Sequence, residues 1–247
     1  MALREEDLEQ GLKELKLTRM AEVVKETLRV CQQEKWSYRR LLRHLIEDEQ
    51  SFRKEGALGR KIRGACLPEN WTLETYPFNL QPGVDRAQIN QLAELDFARQ
   101  GKNLTFIGPT GVGKTGLGSS LLLKALHNGF TGTRRKVQDL LDDLLRSIAD
   151  RRTKYLLNRF SRMDVLMCDE LGYLRLNEDQ ANLFFTLMDN RHRARKATII
   201  TTNMGYNEWG RFFKNAPMTD ALVSRFRQQC VTIVINGPDL RDPALAK

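Results

Sequence analysis

The stretch GPTGVGKT, Gly108 to Thr115, has the spacing G-x-x-x-x-G-K-T. Glycines so placed let successive backbone N–H groups turn inward around an anion, a lysine can reach the outer phosphate oxygens, and a hydroxyl can ligate Mg2+. The pattern predicts a cradle for ATP built from Gly108, Gly111, Val112, Gly113, Lys114, Thr115 and Gly116, with Lys114 on the β and γ oxygens and Thr115 on Mg2+. Such a metal needs a second anchor, and Asp169, near the end of the apolar run DVLMCDE (164–170), suits that task. Glu170 directly behind it can orient and deprotonate an attacking water, which points to hydrolysis rather than transfer to a small acceptor. Asn203 closes ATIITTN (197–203), in position to hydrogen-bond that water or the γ-phosphate. Arg225, in SRFRQQC (224–230), lies far along the chain from the phosphate loop. An arginine that neutralises transition-state charge can be donated by a neighbouring subunit, so the site is expected to be complete only in an oligomer; Arg227 competes for the role.

Positioning these residues calls for strands that end at them. LTFIG (104–108) leads into the glycine-rich turn, and TGLGSSLLLKALHNG (115–129) continues as a helix. A polar strand is expected around TRRKVQ (133–138), a helix over DLLDDLLRSIADRR (139–152), a strand at DVLMCDE, a helix over EDQANLFFTLMDNRHR (178–193), then strands at ATIITTN and VTIVIN (231–236). Another helical stretch, VDRAQINQLAELDFARQG (84–101), precedes them. Strands alternating with helices predict an α/β fold with a parallel sheet covered on both faces. Residues 1–66 show only helical spacing of apolar residues, such as Leu8, Leu12 and Leu15, or Leu41, Leu42 and Leu45, and predict a small N-terminal helical domain. Pro68, Pro77 and Pro82 mark the passage into a second domain, 67–247.

The chain of 247 residues carries 40 Lys plus Arg against 31 Asp plus Glu. A net charge of +9 favours a polyanionic partner without proving one. In the N-terminal domain the balance is nearly even, 15 basic against 12 acidic, except in RKEGALGRKIR (53–63). The four cysteines are far apart with no CxxC pair, which predicts reduced, buried thiols and no zinc site. A charged N-terminus and the lack of any long apolar run predict no signal peptide, no membrane association and a cytoplasmic protein.

The order GPTGVGKT, DVLMCDELGYL, TIITTN, SRF resembles the AAA+ ATPases. Together with TLETYPFN, NLFFTLMDNRHR and TTNMGYNEW, it resembles within them the IstB-like insertion-sequence ATP-binding proteins, relatives of the DnaC-type helicase loaders. The resemblance spans essentially the whole chain. It implies a five-stranded core sheet in the order 5-1-4-3-2, ATP hydrolysis, and assembly into a ring or helical homo-oligomer. It also implies binding of duplex DNA and delivery of that DNA to a partner transposase. Thr115 and Asp169 would hold Mg2+, Glu170 would activate water, Asn203 would be the sensor and Arg225 the finger. Only 22 residues follow Arg225, too few for the C-terminal helical lid of many AAA+ proteins, in keeping with the lidless IstB group.

Three uses of ATP are consistent with these residues: a DNA-binding switch for transposition, a helicase loader, and a small-molecule kinase. The basic groups Arg134, Arg135, Lys136 and Arg191, Arg193, Arg195, Lys196 suit phosphate contact on DNA and favour the first. A loader is expected to add stacking aromatics to a basic groove, and these segments contain none. A kinase has little use for a polarising glutamate beside the metal ligand.

Overall fold

The computed structural model describes residues 5–68, 71–172, 176–213 and 216–242, with the side chains of 5, 6, 211, 212 and 216–219 left aside. The chain forms two compact units that divide between Arg60 and Lys61.

The first unit is helical, with α1 (Glu5–Glu14), α2 (Thr18–Gln33) and most of α3 (Tyr38–Gly64). Its apolar centre is small, so polar ties matter. Ala21, Val24 and Leu45 are buried, and so is Glu49. Glu49 accepts the Met20 N–H at 3.0 Å and Arg53 Nε at 2.7 Å, while Arg53 also donates to the Lys16 carbonyl at 2.6 Å. Arg53, the first cation of RKEGALGRKIR, is therefore spent inside the unit.

The second unit is built on a five-stranded parallel sheet in the order β2-β3-β4-β1-β5. Its strands are β1 (Asn103–Ile107), β2 (Gly132–Lys136), β3 (Val165–Leu171), β4 (Ala197–Thr202) and β5 (Cys230–Val234). Read from the other edge, this is the expected 5-1-4-3-2. The central strands β3, β4 and β1 are buried almost throughout because helices cover both faces. Along β3 the side chains alternate. Leu166 and Cys168 enter the cluster formed with α7 (Val137–Ala149), α8 (Thr153–Arg162) and α9 (Glu178–Arg193), while Met167 points the other way, onto α6 (Lys114–His127). Gly118 permits that contact: a Cβ there would lie 2.8 Å from Met167 Cε.

Two expectations need correction. The stretch 84–101 is not one helix but two, α4 (Arg86–Leu92) and α5 (Asp96–Gln100), because Leu95 adopts a left-handed φ of 66° between them. The helix expected over 139–152 ends at Ala149, and a further helix, α8, begins after Arg151 turns at φ 55°. Of the cysteines, all free, only Cys168 is fully buried, where burial pushes its thiol up to about 12; Cys66 is exposed. The short α10 (Trp209–Phe213) and α11 (Ala216–Gln228) precede β5, and among the described residues no helix follows it.

Candidate functional site

The turn after β1 is shaped by backbone that only glycine adopts without strain. Gly111 has φ 84° and Gly113 has φ 90°, and neither has room for a side chain. A Cβ on Gly113 would meet the Tyr76 hydroxyl at 2.6 Å, and one on Gly111 would overlap the Asp239 carboxylate. The Tyr76 hydroxyl donates to the Val112 carbonyl at 3.2 Å, and burial pushes it up to about 12, so it stays a neutral donor. Gly116, in the first turn of α6, lies against the Trp71 indole, where an added Cβ would come within 2.7 Å of Cε3. Trp71, Thr110, Gly111, Gly113, Lys114, Thr115 and Gly116 thus line one cleft, of about 350 Å³. Arg134, Lys136, Glu170 and Arg241 line the same cleft. Lys114 donates to the Gly108 and Pro109 carbonyls at 2.9 and 2.6 Å. Its ammonium is held below the usual lysine range, chiefly by burial.

Asp169 is completely buried at the centre of this arrangement. Oδ1 accepts the Thr115 hydroxyl at 2.9 Å and also the Thr201 hydroxyl. Oδ2 accepts both Nε and Nη2 of Arg134, at 2.9 and 2.5 Å. Glu170 follows at a β-bulge between Cys168 and Leu171, with φ 62° and its N–H tied to Thr201 Oγ1 at 2.9 Å. That bulge frees its carboxylate from the alternation of β3, and Lys136 Nζ meets it at 2.9 Å. The contact raises the Lys136 ammonium above its ordinary value. The hydroxyl of Thr115 beside the carboxylate of Asp169 is a hard-oxygen donor pair, as suits an Mg2+ ion that keeps waters and phosphate oxygens in its shell. Among the described residues no cluster of three or more His, Cys, Asp or Glu could hold a metal unaided.

The structure gathers Gly108 to Gly116, Asp169 and Glu170 in one place, while Arg225 stands apart. Asn203 is exposed directly after Thr201 and Thr202, the two residues at the end of β4 that line the cleft. Arg225, on α11, neighbours Asn103 and Thr198 at the opposite ends of β1 and β4, roughly 16 Å of strand away from the phosphate loop. It pairs with Asp189 at 2.9 Å and remains exposed. Arg227 stacks on Tyr206, 5.0 Å from the ring centre.

The basic groups read as DNA contacts are largely engaged within the chain. Arg134 and Lys136 hold the two acidic residues of the cleft, and Arg135 pairs with Asp143. Arg191 is buried and donates to Thr198 Oγ1 and to the carbonyls of Phe160, Met163 and Ala197. Arg193 and Lys196 pair with Asp189 and Asp164, which leaves Arg195. Sequence reasoning missed α8 and its approach. Arg151, Arg152, Lys154, Arg159 and Arg162 are all exposed, and among the described residues none pairs with a carboxylate. The run RRTKYLLNRFSR, which holds five basic and no acidic residues, was the available signal.

A family model described as IstB-like ATP binding protein matches residues 10–244. The ATP-binding protein of insertion sequence IS21 from Pseudomonas aeruginosa is 31% identical over 235 residues, which cover 95% of this chain and 88% of the relative. The corresponding protein of IS232 from Bacillus thuringiensis subsp. berliner is 28% identical over 96% of this chain and 94% of its own length. Among solved structures, the DnaC helicase loader aligns with a TM-score of 0.60 and 27% identity, covering 68% of this chain and 98% of the loader. With the cleft, the AAA+ sheet order and the family match in agreement, this chain belongs to the IstB-like ATP binding proteins.

Proposed function

We propose that this protein hydrolyses ATP, that ATP drives its assembly on duplex DNA as a ring or helical homo-oligomer, and that the assembly assists a partner transposase until hydrolysis releases it. The observation that carries this reading is the convergence of Lys114, Thr115, Asp169 and Glu170 on one cleft while Arg225 stands outside it. Backbone N–H groups of Gly111, Gly113 and Lys114 bind the phosphates of ATP, and Thr115 with Asp169 hold Mg2+. When bound, the ion offsets phosphate charge. Glu170 acts as the base toward water once Lys136 yields it, and Asn203 serves as sensor by turning in from its exposed position. Arg225 completes a neighbour's site rather than its own. Its exposed pair with Asp189 is no obstacle, since such pairs contribute only about 0–1 kcal/mol.

Duplex DNA is gripped mainly by phosphate contacts, for which the exposed cations of α8 and its approach, without carboxylate partners among the described residues, are the best-suited surface. A transposase partner is supported by the insertion-sequence relatives. Among the described residues no helix is long and apolar enough to cross a membrane, in keeping with a cytoplasmic task.

One observation favours a second reading, loading of a replicative helicase. Tyr155 is exposed among the α8 cations, with Arg152 5.7 Å from its ring centre, a pairing that suits stacking on single-stranded bases. Sedimentation of Glu170→Gln with ATP and Mg2+ distinguishes the two. Large ATP-dependent complexes on duplex support the transposition helper; preference for single strands supports the loader; indifference to both overturns the DNA-dependent reading.

A further inference from the structure

After β5 the chain does not leave the sheet. Residues 235–242 fold back across the phosphate loop and are pinned to it at several points. Ile235 N–H donates to the Ile107 carbonyl at 2.8 Å, and Leu240 N–H donates to the Gly111 carbonyl at 3.0 Å. Gln81 Nε2 bridges the Val112 and Pro238 carbonyls at 3.1 and 3.2 Å, joining loop and strap directly. Asp239 fills the space over Gly111, and Leu240 fills part of that over Gly113. A tight turn follows, with the Arg241 N–H donating to Asp239 Oδ1 at 2.9 Å and the Asp242 N–H to the Asp239 carbonyl at 3.0 Å. The strap's position is thus set by the loop itself, and the turn delivers Arg241 to the wall of the cleft.

Among the described residues four cations line that cleft, and three are occupied. Lys114 donates to two loop carbonyls, Arg134 holds Asp169, and Lys136 holds Glu170. Arg241 is the exception: among the described residues its guanidinium has no carboxylate or carbonyl partner. Its charge is close enough to help hold the Lys114 ammonium below its ordinary value, after the larger effect of burial. A fork of N–H donors left unpaired beside a loop that binds phosphate matches the oxygens of a polyphosphate chain.

We propose that Arg241 is a nucleotide-contacting residue, a cation supplied in cis by the strap to the phosphate chain of the bound nucleotide. The proposal rests on reading the cleft as an ATP site. It assigns to the segment beyond β5 a binding task rather than a purely structural one. The contact is direct, from guanidinium to phosphate oxygen, and does not pass through Mg2+.

Calorimetric titration of ATP and ADP into the full-length protein tests this, with and without EDTA, for wild type, Arg241→Ala, Arg241→Lys and Lys114→Ala. Thermal melts of each nucleotide-free protein accompany the titrations. Arg241→Ala is expected to bind ATP and ADP about tenfold more weakly, as fits loss of one charge-assisted contact, with the loss persisting in EDTA. Arg241→Lys recovers part of it, and the nucleotide-free melting temperatures of both Arg241 variants stay close to wild type. Wild-type affinity in Arg241→Ala while Lys114→Ala fails to bind overturns the proposal and leaves the site reading intact. Equal weakening in the Ala and Lys variants together with a lowered nucleotide-free melting temperature also overturns it, because the strap would then act through packing. Absence of nucleotide binding by the wild type overturns the site reading and this proposal with it.

Discussion

Arg134 and Asp169 meet across the β2–β3 pair with two guanidinium nitrogens on one carboxylate oxygen, in a setting where Asp169 has no exposure and the Arg134 side chain only 15%. The residue expected to ligate Mg2+ thus already carries an internal cation on its second oxygen. Breaking a buried pair from one side leaves an uncompensated charge, typically costing about 3–5 kcal/mol. The Thr115 and Thr201 hydroxyls still serve Oδ1, so Arg134→Ala is expected at the low end, about 3 kcal/mol less stable. Millimolar Mg2+ should raise the melting temperature of the variant more than that of wild type, since the ion can replace the lost charge. Equal responses in differential scanning fluorimetry would show that the ion and Arg134 do not share Asp169.

Glu170 sits at φ 62°, a conformation that disfavours a side chain, and its ion pair with Lys136 is partly exposed. Relieving the left-handed backbone contributes about 1–2 kcal/mol, the added chain entropy of glycine offsets about 0.5–1 kcal/mol of that, and losing the exposed pair costs no more than about 1 kcal/mol. Glu170→Gly should therefore melt at or slightly above the wild-type temperature while losing phosphate release. A clear drop in melting temperature would mean that the bulge is held by its side chain rather than carried at a cost.

Arg225 lies a strand's length from its own phosphate loop, so its contribution to hydrolysis should be complementable. Arg225→Ala and Glu170→Gln are each expected to be inactive alone. Mixed in equal amounts, random neighbours pair an intact Glu170 with an intact Arg225 in about a quarter of interfaces, and activity should recover toward that fraction. A mixture as inactive as its components would remove Arg225 from the role of finger in trans.

In the helical unit, Glu49 is buried, and its carboxyl is held below the usual range by the Met20 N–H and Arg53 although burial pushes it upward. A carboxyl whose folded pKa is depressed contributes stability that is present above its ordinary pKa of 4.5 and lost as pH falls through the lower, folded value. Glu49→Gln should reduce amide protection of α2 at neutral pH, and the two proteins should converge under acid. Hydrogen exchange corrected for intrinsic rates reads this directly, and parallel curves down to low pH would contradict it.

What could be read from sequence was what depends on local backbone and strand ends. Gly111, Gly113, Lys114 and Thr115 form one continuous turn, and Asp169 with Glu170 ends an unmistakably apolar run, so their convergence was legible. Arg134 was not, because in TRRK it looks like any surface cation. Only the register of β2 on β3, which sets Arg134 beside Met167 and Lys136 beside Asp169, turns both inward to the cleft. Arg191 misled for a similar reason: it stands in the last, basic turn of α9 but on the face that packs against Phe160 and Ala197. The breaks at Leu95 and Arg151 carry no glycine or proline to announce a left-handed turn, which is why one helix was expected where two stand and α8 went unseen.

The chain has three tryptophans, and they occupy different surroundings. Trp209 is fully buried in the core and Trp36 belongs to the helical unit, where Arg40 lies 4.0 Å from its ring centre. Trp71 alone lines the phosphate cleft, its indole resting on Gly116. The protein therefore carries a built-in optical gauge. Its intrinsic emission can report occupancy of the cleft in real time and without a label, and replacing Trp71 with Phe would silence that component while leaving the other two as a constant background.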